Sequence, residues 1–86
     1  MIRVGESVIF VDQEAVQHIA LVTAVWSEQC INVVFVNADA SMHDSYGRQI
    51  ARQTSLMNKD TQGATYGMYW MLPGETANPI VAPLES

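Results

Sequence analysis

This 86-residue chain is short of most features that give a small protein an obvious chemistry. It has one cysteine, Cys30, so no disulfide can form within it, whereas a secreted domain of this size usually carries several. Its first dozen residues contain no basic segment followed by a long apolar run, as a secretory leader would. No apolar stretch approaches the roughly 20 residues that span a bilayer. Glycine-rich phosphate loops and metal-ligand spacings are missing, and no nucleophile stands paired with a base. On these absences the expectation is a soluble, intracellular, non-enzymatic protein with no cofactor.

Positive charge is also scarce. Four Lys and Arg stand against nine Asp and Glu, for a formal charge of −5. Duplex DNA and anionic membranes would be repelled at long range, because affinity for them comes mainly from neutralised phosphates. A single small anion is different, since two well-placed arginines can hold it against the global field. Charge of either sign amounts to only 15% of the residues, so much of the exterior must be neutral or apolar. Such exteriors are often covered by another copy of the chain, and a homo-oligomer is expected.

What the chain does contain is β pattern. "VGESVIFV", residues 4–11, alternates with a period of two and is rich in β-branched residues. "HIALVTAVW", residues 18–26, sets Ile19, Leu21, Thr23 and Val25 on one face and Ala20, Val22, Ala24 and Trp26 on the other. Both faces are largely apolar, which predicts a central strand covered on both sides. Three polar residues then lead into "CINVVFVN", residues 30–37, and the two runs read as a hairpin. "TYGMYWML", residues 65–72, is the last strand, ended by Pro73 and Gly74.

Residues 38–64 are harder to read. Tyr46, Ile50 and Met57 sit at helical spacing and Arg48 and Arg52 are four apart, but Gly47, Thr54 and Ser55 weaken a helix. The reading is a long loop with a short strand near residues 53–57. The fold expected is all-β: an SH3-like barrel of about five strands over residues 1–75, with a tail over 76–86. An α+β domain with a short middle helix is the alternative.

Ala20, Val22, Thr23 and Val25, then Asn32, then Trp70 and Pro73, resemble a family of small phage-encoded proteins of unknown function. Those proteins end their core in a Trp-His-Trp-Pro-like strand; here Met71 and Leu72 replace the histidine and the second tryptophan. The resemblance covers roughly residues 4–75. It implies a small barrel of viral origin, working in the host cell cytoplasm by binding.

Two regions then stand out as candidate sites. In "GMYWMLPGE", residues 67–75, Met68, Trp70 and Leu72 are expected to fill the barrel, with Tyr69 and Met71 outside. Tyr69, Met71 and Trp26 are accordingly the candidate interface residues. In the long loop, Arg48 and Arg52 are candidates for gripping phosphate, with Tyr46, Tyr66 or Tyr69 stacking on a base and His43 beside them. Solvated arginines balancing nearby acids are the plainer alternative. His18, His43-Asp44 and Cys30 read most simply as a strand-edge residue, a solvated dipeptide and a small hydrophobe. The functional expectation is a phage-type binding module acting in counter-defence, by sequestering a small nucleotide signal or blocking a host protein. A virion or assembly component is the alternative.

Overall fold

A computed structural model describes residues 2–61 and 68–78. Five strands close into a barrel in the order β1 (Ser7–Val11), β2 (Gln17–Val25), β3 (Cys30–Val36), β6 (Ile50–Asn58) and β7 (Tyr69–Met71). Two short strands, β4 (His43–Asp44) and β5 (Gly47–Arg48), form a small separate hairpin in the β3–β6 connection. The fold is all-β, with a long loop before the last strands and no helix among the described residues.

The first hairpin turns on Asp12. Its backbone N–H donates to Val16 O at 3.0 Å, and its Oδ1 accepts the N–H groups of Glu14 and Val16 at 2.8 and 3.0 Å. Ala15 takes φ of 64° inside this turn, a left-handed conformation costing a β-carbon-bearing residue about 1–2 kcal/mol. The side-chain bonds from Asp12 offset that cost. The β2–β3 hairpin is as expected, closed by Trp26 N–H on Cys30 O at 2.9 Å.

β6 runs for nine residues rather than the five expected. Its partner decides this: β3 offers a ladder from Cys30↔Met57 to Val36↔Ile50, and unpaired backbone there would be costly. Both long strand pairs carry an irregularity, between Val22 and Ala24 in β2 and opposite Ile31–Val33 in β6, where Ser55 has φ of 52°. The Asn32 side chain holds the second one. Its Oδ1 accepts Ser55 N–H and Trp26 Nε1–H, each at 2.9 Å. Such bulges sharpen strand twist, which closure of so small a barrel requires.

The core is Val8, Phe10, Ala20, Val22, Ile31, Val33, Leu56 and Trp70, with Ile2 below and Phe35 and Met68 against it. Trp70 lies inside as expected, and its Nε1–H donates to Gln29 O at 2.9 Å. β7 closes the wall, antiparallel to β1 and parallel to β6.

Three expectations are corrected here. Tyr69 and Met71 do not emerge; they are 2% and 1% exposed. Their outward side is covered by the chain itself, because a turn at Leu72–Glu75, with Gly74 at φ of 91°, folds residues 76–78 back. Ala77 and Ile9 pack on the cluster of Val11, Tyr69 and Met71, and Asn78 N–H donates to Tyr69 Oη at 2.9 Å. Leu72, expected inside, is 44% exposed because it stands in that turn. Finally, β2 is not covered on both sides by described residues: Ile19 is 76% and Leu21 49% exposed.

Candidate functional site

At one end of the barrel, the β1–β2 turn and the start of the β3–β6 connection flank a cleft of about 430 Å³. That volume lies within the ~300–1,000 Å³ of typical small-molecule sites. Its inner wall is aromatic. Phe10 and His18 face each other across the β1–β2 ladder, with ring centroids 5.5 Å apart and planes within 25°. Phe35, from β3, lies 4.9 Å from Phe10 and 5.1 Å from His18. Period-two geometry explains the grouping, since Phe10, His18 and Phe35 all point inward at the last turn of the barrel before its mouth.

His18 is fixed by a hydrogen bond as well as by packing. Its Nε2 lies 2.8 Å from Asp12 Oδ2, the oxygen not engaged by the turn. With Nε2–H on the carboxylate, Nδ1 becomes an acceptor; in the protonated ring both nitrogens donate. Burial works to raise the Asp12 pKa. The hydrogen bonds from His18 and from the N–H groups of Val16 and Glu14 outweigh it and hold the carboxyl below its ordinary value.

The rim is polar and uncharged or acidic. Asn37 and Gln53 bring side-chain amides, Asp12 and Glu14 bring carboxylates, and no Lys or Arg is among the described lining residues. Met68 lines the same cleft with φ of 57°, the strained left-handed region.

The connection after Asn37 forms an arm beside this mouth. Arg48 braces its foot, with Nη1 donating to Asn37 O at 2.9 Å and to Ala38 O at 3.4 Å. His43 sits opposite Arg48 in the β4–β5 pair, and Asp44 Oδ1 accepts Tyr46 N–H at 2.8 Å. Tyr46 projects from the tip at 97% exposure. Asp39 is held below the ordinary carboxylate range by the Ser41 hydroxyl and N–H, with Arg48 contributing at longer range.

The predicted ligand residues therefore divide. Arg48, His43 and Tyr46 share the arm, next to a cleft. Arg52 does not join them: it stands opposite Val34 on β6, between the inward Ala51 and Gln53, and so lies on the outer side of the wall. The two arginines do not form one phosphate grip. Tyr69 is buried, and Tyr66 lies outside the described residues. Trp26 is 65% exposed but sits past the far end of β2, away from the cleft.

The sequence reading took His18 for a strand-edge residue and gave Asp12, Phe10 and Phe35 no site role. The available signal was the spacing: an Asp ending one strand and a His opening the next, six residues on, meet across a tight turn. Among the described residues, no group of three or more His, Cys, Asp or Glu side chains comes together to hold a metal ion.

Compared with known proteins, the chain matches no family model, no curated protein and no solved structure. The family resemblance thus reduces to its coarser content, a small five-strand β-barrel.

Proposed function

We propose that this barrel is a non-catalytic, phage-type binding module that sequesters a small nucleotide signal by its base. The observation that carries the reading is the cleft: an aromatic wall of His18 and Phe35, rimmed by the amides of Asn37 and Gln53. A planar heterocycle gains about 1–3 kcal/mol by stacking on an aromatic side chain. The Gln53 amide matches the donor–acceptor edge of a base such as adenine, and Asn37, whose Oδ1 accepts Asp39 N–H at 2.9 Å, adds its Nδ2–H donors. The acidic rim is unsuited to phosphate, so the base would lead into the cleft. The phosphates would remain outside, within reach of the arm that carries Arg48 and His43. In a phage-infected cell, this capture would withdraw a nucleotide from host defence.

Calorimetry with nucleobases, nucleosides, and cyclic or ADP-ribose-derived nucleotides tests the reading. Nucleosides should bind nearly as well as their nucleotides, and ribose phosphate alone should not bind. Phe35→Ala should weaken binding about 10–100-fold, the equivalent of one lost stacking contact. Absence of heat with every compound, or affinity rising with phosphate number alone, would overturn the base-led mode. A nucleotide recovered cleaved would make the protein an enzyme.

A further inference from the structure

The outer surface of β2, β3 and β6 is a largely apolar sheet face that carries Arg52 and has nothing described upon it. The residues that point away from the core are set by the register. Leu21 pairs with Val34 and Val34 with Arg52, forming one row across the three strands. One step along, Val36 pairs with Ile50, and the same antiparallel register sets Ile19 beside Val36 and opposite Ile9. Ile19 is 76%, Ile50 60%, Val36 53% and Leu21 49% exposed.

We infer that this face is where a second copy of the chain packs, sheet against sheet. Two observations select a copy as the occupant. The first is area. The exposed parts of these side chains amount to roughly 400 Å², about half of what one partner buries in a stable interface. Flanked by polar residues, such a patch is about the apolar centre of the ~800 Å² that each partner buries in a stable interface.

The second is charge. β2, β3 and β6 contain no Asp or Glu, while eight of the nine acids lie in described turns, loops and short elements elsewhere: Glu6, Asp12, Glu14, Glu28, Asp39, Asp44, Asp60 and Glu75. Two copies of a chain with charge −5 repel each other over most of their surface. This face carries no acid and one base, Arg52, and gives two copies a broad area through which they can approach. Face-to-face sheets pack about 10 Å apart through interdigitating side chains, and β-branched residues such as Ile19, Val36 and Ile50 suit that geometry. The cleft lies inside the mouth of the barrel, so such a dimer leaves two ligand sites open.

Sedimentation equilibrium of the full chain, over micromolar to near-millimolar concentrations, tests the inference. The wild-type chain should be a dimer. Ile19→Lys on β2 and Ile50→Lys on β6 should each weaken association at least 100-fold while circular dichroism remains unchanged. Because both side chains are exposed on separate strands, either variant suffices if the other fails to fold. Val4→Lys, at an exposed apolar position off this face, should dimerise like wild type. A wild-type monomer throughout that range, or a dimer that both lysine variants leave intact, would overturn the inference. So would a full-length monomer that dimerises only when cut after Asn78, since the chain's own end would then be the cover.

Discussion

β6 and β7 are neighbours in the barrel wall, yet their outward side chains have opposite fates. Tyr69 and Met71 on β7 are almost wholly buried, whereas Ile50 on β6 is 60% exposed. The residue types do not explain this, since all are large and apolar. The difference lies in the next segment of chain: the Leu72–Glu75 turn lays Ala77 and Asn78 over β7, and no described residue does the same for β6. Position on the outside of a small barrel therefore does not determine exposure. An outward apolar side chain is buried only where another segment of the chain reaches it, as Ala77 and Asn78 reach β7.

The contrast can be broken most forcefully at Tyr69. Tyr69→Ala should cost about 3–5 kcal/mol in urea unfolding, as a buried aromatic position does, and Tyr69→Phe about 1 kcal/mol through the bond from Asn78. A Tyr69→Ala cost below about 1 kcal/mol would mean that Ala77 and Asn78 do not cover β7. A smaller effect is expected at acid pH. The folded chain holds the Asp12 carboxyl below its ordinary value, so its contribution is fully present above the unfolded pKa near ~3.9 and is lost as pH falls through the lower folded value. Stability measured from about pH 5 downward should therefore fall less steeply in Asp12→Asn than in wild type. The smallest effect belongs to the bare face. In solution dilute enough to keep the chain monomeric, Ile19→Thr should change stability by no more than about 0.5 kcal/mol, because little is buried there to lose. A large loss at Ile19 would show that something in the chain already covers it.

Much of the barrel was legible because alternation is a local signal. β1, β2, β3 and the aromatic β7 all follow it, and Trp70 lies inside as its period required. β6 was not legible, for a physical reason. The irregularity at Ser55 slips the period by one, so Ala51 and Gln53 face inward and then Leu56 does, and "IARQTSLMN" loses its alternation. Trp26, a candidate interface residue, lies beyond the irregularity between Val22 and Ala24 and is exposed. Tyr69 and Met71 were misjudged because their cover depends on a chain reversal after Pro73, which periodicity does not encode. Of the site, the loop with Arg48, His43 and Tyr46 contributes Asn37 and Ala38 to the cleft, while those three predicted residues do not line it. The residues that line it, Asp12, His18 and Phe35, come from three separate segments, and only the strand registers bring them together.

The central claim is that small ligands enter at the mouth of the barrel and not along its wall. A ¹H–¹⁵N correlation titration of the full chain with adenosine and a panel of other nucleosides addresses it directly. The expected result is a saturable set of shifts confined to residues 12–18, 35–38 and 51–53. Shifts that instead track Ile19, Leu21 and Ile50, or an unchanged spectrum with every nucleoside, would contradict it.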